Sequence, residues 1–323
     1  MRGRMCAAAL TLLFGTNGFA ADQCPPLTLL TSIDLTASED GRAEFVPVEI
    51  AGVPKLMLLD LGAEISTLSA QVAEELKLPV RKSGVELYDL TGASTDRTTT
   101  TELKLGRFRG RRGFMITSLG AGDDPAVVGL LGSDILSPYD LSIDFGTNKL
   151  ELLDKNHCEG KVVYWPSDAV AIIPFTSWHT GKIVFDITLD GKSMKAILDT
   201  GAWQSTLSLP VAERRFDLKP GAADTPKSGV LNGQATLPTY SHTFKLLDFN
   251  GVAVANPNFD LIPDVMARRL TPAPVLDSNI PARDDAVQAP VLIGMNILKH
   301  LHIYIAYKEK KLYITPAGKP PGK

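Results

Sequence analysis

Metal and redox chemistry have little to work with in this chain, which holds three cysteines and five histidines in 323 residues. His300 and His302 alternate as paired ligands would, but no third ligand stands near them, so both read as surface histidines. There is no surplus of basic charge. The formal net charge is −3, which gives no reason to expect a nucleic acid or an anionic membrane as partner. Four arginines between Arg107 and Arg112 read as a solvated loop. Beyond the N-terminus no run approaches the roughly 18 apolar residues of a membrane span. No Gly-x-Ser-x-Gly frames the serines of Ser66-Thr67-Leu68-Ser69 or Ser205-Thr206-Leu207-Ser208. They are read as satisfying backbone groups before a short helix rather than as nucleophiles.

What remains is an ordinary globular composition, 44% apolar and 21% charged, in a length that suits one large domain or two lobes. Residues 1–20 read as a secretory signal peptide. Arg2 and Arg4 form the basic region, Cys6 to Phe14 the apolar one, and Gly18-Phe19-Ala20 the small residues before a cut. A buried N-terminal helix is the other reading. Export, to a periplasm or the exterior, would leave 31 basic and 36 acidic residues, a net −5, and two cysteines. An oxidising compartment favours a Cys24–Cys158 disulfide clamping the N-terminal segment to the end of the first half; the alternative is two free thiols.

The chain repeats itself. Leu58-Leu59-Asp60-Leu61-Gly62-Ala63 is echoed by Ile197-Leu198-Asp199-Thr200-Gly201-Ala202. Leu90-Thr91-Gly92-Ala93 and Leu231-Asn232-Gly233-Gln234 follow at similar distances, each in a polar setting that suits a hairpin tip. Leu130-Leu131-Gly132-Ser133-Asp134 then matches Leu292-Ile293-Gly294-Met295-Asn296. From Gly132 and Gly294 onwards the offset is a constant 162 residues (294 − 132). Three blocks in one order make a tandem duplication whose period is that of a lobe, not of a solenoid unit. Alternating strands and glycine-rich turns predict an all-β protein with few short helices, the best placed at Ser69–Leu76 and Leu209–Phe216. The expected organisation is lobe 1 over 21–155, a linker over 156–170, lobe 2 over 171–318 and a tail over 319–323. Gly251 to Pro290, with six prolines, reads as an inserted surface loop or lid. Asp134 and Asn296 are expected to serve turns.

An apolar strand running into Asp-x-Gly sets a carboxylate at a sharp turn. Two such turns about an internal two-fold axis would bring Asp60 and Asp199 together. Adjacent carboxylates share a proton, and the pair can then act as base and acid at once. A turn aspartate capping backbone N–H groups is the plainer reading of either one alone.

These residues resemble the retropepsin-like and pepsin-like aspartic proteases, in their single-chain two-lobed form. The likeness rests on Asp199-Thr200-Gly201-Ala202 and Leu292-Ile293-Gly294, and on their counterparts in register, over residues 40–316. It implies two homologous β-barrel lobes about a pseudo-two-fold axis and an endopeptidase in which Asp60 and Asp199 activate water. The implied substrate is a peptide or protein, with no cofactor and no metal. Gly62 and Gly201 would permit the turns, and Ala63 and Ala202 would flank the dyad. Thr91, Gly92, Asn232 and Gly233 would form flaps, with Tyr88 and Tyr240 beside them as candidate substrate contacts or ordinary strand aromatics. The family pattern has Thr or Ser after each aspartate, hydrogen-bonding across the axis. Thr200 fits it and Leu61 does not. Without a hydroxyl at Ala63 and Ala202 to favour the ionised carboxylates, the pair's pKa values should rise. A catalytically impaired peptide-binding protein is the alternative on this scaffold. A monomer is favoured over a dimer, because both lobes lie in one chain.

Overall fold

The computed structural model describes residues 24–88, 94–117, 126–177, 181–230, 237–263 and 289–318. Lobe 1 runs through β1 (Leu29–Asp34), β2 (Thr36–Ala37), β3 (Glu44–Ile50), β4 (Val53–Leu59), β5 (Thr67–Ser69) and α1 (Ala70–Glu75). It continues with β6 (Val80–Tyr88), β7 (Ser94–Leu105), β8 (Phe108–Thr117), β9 (Val127–Leu131), α2 (Ser133–Leu136), β10 (Asp140–Asp144) and β11 (Lys149–Leu153). Lobe 2 repeats the plan with β12 (Ala171–Ser177), β13 (Ile183–Leu189), β14 (Lys192–Leu198), β15 (Thr206–Ser208) and α3 (Leu209–Phe216). Then come β16 (Lys227–Val230), β17 (Pro238–Thr243), β18 (Leu246–Asp248), β19 (Ala253–Ala255), β20 (Asn258–Ile262), β21 (Val291–Ile293), α4 (Met295–Leu298), β22 (Leu301–Ala306) and β23 (Lys311–Pro316). The fold is all-β and two-lobed, and both expected helices form. Ser69 caps α1 by accepting the Val72 N–H at 3.2 Å.

Alternation explains the strands. In β3 the odd-numbered positions face outward more than Glu44, Val46, Val48 and Ile50, which are buried. Strand β22 is buried along its whole length, and β10 nearly so, within a sheet that both lobes build. Its order is β1-β11-β10-β22-β23-β12, and β10 meets β22 antiparallel. Leu141 lies opposite Ile305, Ser142 opposite Tyr304, and Ile143 opposite Ile303. Under the 162-residue offset Ser142 is equivalent to Tyr304, and the other two pairs exchange partners. The internal two-fold axis therefore passes through the Ser142–Tyr304 pair.

Cys24 and Cys158 form a disulfide with Cα atoms 5.0 Å apart. Beside it His157, its side chain buried, donates through Nε2 to Asp140 Oδ2 (2.7 Å) and through Nδ1 to the Cys158 carbonyl (3.1 Å). The Cys158 carbonyl can only accept, and with Asp140 ionised Nε2 donates as well, which makes the ring an imidazolium; burial raises the Asp140 pKa against its bond to His157. Burial by itself would lower the His157 pKa. The bonds to Asp140 and Cys158, with the charges of Asp140 and Glu309, outweigh it and raise the pKa overall.

Three expectations change here. His302 is buried, not superficial, stacked on Trp165 at 3.7 Å, and burial pulls its pKa down to about 4. His300 is exposed as expected. Arg109, Arg111 and Arg112 lie on β8 rather than in a loop, because β7 and β8 continue pairing as far as Leu105–Phe108; Arg109 pairs with Glu49 (3.0 Å) and Glu102 (2.9 Å). The inserted stretch 251–290 is not all loop. It contributes β19 and β20, and β20 pairs with β15 and β17; residues 264–288 lie outside the described residues. Residues 1–23, with the expected signal peptide, also lie outside them.

Candidate active site

Each aspartate ends a central strand. Strand β4 runs parallel to β9, with Leu59 beside Leu131, and β14 runs parallel to β21, with Leu198 beside Ile293. The Asp60 N–H continues its ladder to the Leu131 carbonyl at 3.1 Å, and the Asp199 N–H does the same to Ile293 at 3.1 Å. The chain then turns and is braced identically in both lobes. Ser66 Oγ accepts the Gly132 N–H (2.9 Å) and donates to Asp134 Oδ1 (2.6 Å). Ser205 Oγ accepts the Gly294 N–H (2.9 Å) and donates to Asn296 Oδ1 (2.7 Å). Asp134 and Asn296, read from sequence as turn residues, thus anchor the loops that carry the aspartates.

The turns face one another across the axis at very short range. A Cβ on Gly62 would stand 2.7 Å from Asp199 Oδ2, and one on Gly201 would stand 2.6 Å from Asp60 Oδ1. Glycine is required at both places because the opposing carboxylate occupies the side-chain volume. The Asp60 and Asp199 carboxylates are close enough to act on each other's ionisation. Asp60 Oδ1 accepts the Ala63 N–H at 2.8 Å, while Asp199 Oδ1 accepts the N–H groups of Gly201 (2.9 Å) and Ala202 (3.2 Å). The alanines contribute through backbone, not side chain.

Each aspartate keeps some solvent exposure as a residue, but its carboxylate is enclosed by protein. Burial first, and then the Asp199 charge, pushes the Asp60 pKa up to about 7; burial likewise raises Asp199. A pair so placed holds one proton between two carboxylates. Lys182, immediately before β13, opposes the rise at both groups. The lysine was not evident in the sequence.

Thr200, 1% exposed, links the lobes. Its hydroxyl accepts the Leu61 N–H (2.9 Å) and donates to the Leu59 carbonyl (2.8 Å). Leu61, also 1% exposed, belongs to the apolar core and has no hydroxyl to return the pair of bonds. The two-fold symmetry is broken at this point.

Other candidates fall elsewhere. Tyr88 ends β6 opposite Ser94. Thr91, Gly92, Asn232 and Gly233 lie outside the described residues. Tyr240 is a strand aromatic on β17, packed against the core. A polar cleft of about 170 Å³ on the shared sheet includes Ser142, Asp144 and His302. Ser142 Oγ is 2.8 Å from His302 Nε2, but His302 Nδ1 is 4.0 Å from Asp144 Oδ2, beyond hydrogen bonding. Asp144 is committed instead to Gly146, Thr147 and Gly318, so no nucleophile triad forms.

The aspartyl protease family matches the sequence over residues 46–135 and again over 185–297, more than half of the chain and both copies of the repeat. The chain belongs to the aspartyl protease family. As a two-lobed aspartyl protease it resembles in fold the aspartic proteinase from Irpex lacteus, with a TM-score of 0.50 and 14% identity over 89% of this chain and 97% of that one. No curated protein sequence matches it. Among the described residues, no helix of this aspartyl protease is long and apolar enough to cross a membrane.

Proposed function

We propose that the protein is an aspartic endopeptidase in which Asp60 and Asp199 together activate water against a peptide bond. The observation that carries this reading is the pair of opposed carboxylates, each pressed against the other lobe's glycine. With one proton on the pair, the ionised carboxylate takes a proton from water as the oxygen attacks the carbonyl carbon. The protonated carboxyl donates to the carbonyl oxygen. The tetrahedral diol then collapses: the newly protonated carboxyl gives its proton to the amine nitrogen, the other carboxylate takes a proton from a diol hydroxyl as the C=O re-forms and the C–N bond breaks, and the starting protonation state returns. Export after cleavage near Ala20, and action as a monomer on peptide or protein substrates, belong to the same proposal.

Leu61 favours one other reading, a scaffold that binds peptides without cleaving them. Cleavage of a mixed peptide library from pH 3 to 8 by wild type and Asp199→Asn, with and without a statine-type inhibitor, decides between them. Activity that disappears in the variant and is blocked by the inhibitor is expected. Folded wild-type protein that cleaves nothing at any pH would leave the binding scaffold.

A further inference from the structure

Immediately outside the dyad the two lobes are joined by crossed contacts that differ in chemistry. Glu64 stands four residues after Asp60, and Trp203 four after Asp199. Each follows the alanine whose N–H touches the carboxylate, at 2.8 Å for Ala63 and 3.2 Å for Ala202, so each begins one Cα step of about 3.8 Å further out. They are equivalent positions on opposite flanks of the catalytic centre. Glu64 is met from lobe 2 by Lys182 Nζ at 3.7 Å. Gly181 allows that approach, since its backbone has φ +88° and a Cβ there would stand 3.0 Å from the Ser133 Cβ. Trp203 is met from lobe 1 by Arg42, whose guanidinium lies 4.7 Å from the ring centroid.

The Trp203 ring is half exposed, at 50%, which is a large apolar surface to leave in water. Its backbone is fixed: the Trp203 carbonyl accepts the Asn296 N–H at 3.0 Å, and the next side chain, Gln204, donates to Asn258 Oδ1 at 2.9 Å. The Arg42 charge is already answered by Asp40, with Nε 3.3 Å from Oδ2, so what this flank offers is an aromatic surface on a rigid mount rather than a free cation. The Glu64 flank offers an ion pair, which loses hydration when an apolar group covers it.

We infer that Trp203, backed by Arg42, forms a recognition platform for a large apolar or aromatic substrate side chain on one flank of the scissile bond, and that the Glu64–Lys182 flank has no such preference. This rests on the peptidase reading above. It makes an almost symmetric dyad read its substrate asymmetrically.

The test is the cleavage profile of peptides varied separately on each flank, for wild type, Trp203→Ala, Trp203→Phe and Glu64→Gln. Reduced-bond versions of the same peptides, which cannot be cut, are titrated calorimetrically in parallel. Wild type should prefer large apolar side chains on one flank. Trp203→Ala should lose about 10- to 100-fold in kcat/KM for those peptides alone, mainly through KM. Trp203→Phe should retain most of the preference, and Glu64→Gln should leave it in place. An unchanged preference in Trp203→Ala, or an equal loss on both flanks, would overturn the inference. If wild type cuts nothing, the peptidase reading fails separately. The titrations still decide, because equal affinity for large apolar and small side chains on both flanks would remove the platform.

Discussion

Thr200→Val removes one hydroxyl and almost nothing else. The shape is kept and the branch at Cβ is kept, yet the bonds to Leu61 N–H and the Leu59 carbonyl are both lost. Leu59, Leu61 and Thr200 are at most 1% exposed, so no solvent can replace that hydroxyl without the lobes separating. Leaving one buried polar group unsatisfied costs about 1–3 kcal/mol, so two cost about 2–6 kcal/mol. Against a total stability on the order of 5–15 kcal/mol this is a large fraction. In a protein with a hydroxyl on each side, half the connection would survive. Here Leu61 supplies none, so the whole loss falls on one substitution. Urea denaturation should therefore show a midpoint well below that of wild type, while Thr200→Ser, which keeps the donor and acceptor, should lose about 1 kcal/mol or less. Peptide cleavage should fall by at least about 100-fold in Thr200→Val, because small displacements at a two-residue acid–base device are costly. A Thr200→Val protein within about 0.5 kcal/mol of wild type and equally active would refute the argument that this hydroxyl joins the lobes.

Three further outcomes follow from the same geometry. The upper limb of the pH–rate profile should lie near pH 7, since the Asp60 pKa is pushed up to about 7 and activity needs one proton on the pair; a profile peaking below about pH 3 would contradict it. Gly201→Ala should abolish cleavage in a folded protein, because its Cβ would occupy the place of the Asp60 carboxylate; retention of wild-type kcat would show that the turns are looser than described. His157→Phe should destabilise by about 3–5 kcal/mol at pH 6 by stranding the Asp140 charge. Because the His157 pKa is raised in the folded state, its stabilisation is complete below the unfolded value near 6.5 and declines as pH rises through the folded value. The gap between wild type and variant in denaturation should narrow at high pH, and a gap that widens would reverse the assignment of the imidazolium.

Much of the architecture is legible without coordinates, because the signals are local and occur twice. The strands alternate, the Asp-x-Gly turns follow apolar pairs, and the constant offset after Gly132 and Gly294 pairs one lobe with the other. The position of α1 is readable from Ser69 and that of α3 from Leu209-Pro210. Local reading erred where burial decides. The alternation that put His300 and His302 on one strand says nothing about Trp165, which folds back over His302. The arginines of β8 look like loop residues until pairing with β7 is known.

By itself, then, the amino-acid order determined the duplication, the all-β lobes and the two aspartates that must meet if the copies pack about an axis. It also determined that Leu61 breaks the symmetry, since the side chain that could hydrogen-bond is absent whatever the fold. Only the tertiary structure decided that Thr200 reaches Leu59 and Leu61, that enclosure raises the carboxylate pKa values, and that Lys182 and Arg42 cross between lobes to Glu64 and Trp203. Those partners lie more than a hundred residues apart in the chain. Periodicity and turn chemistry act over a few residues, whereas such distant encounters depend on how two hydrophobic cores come to rest against each other.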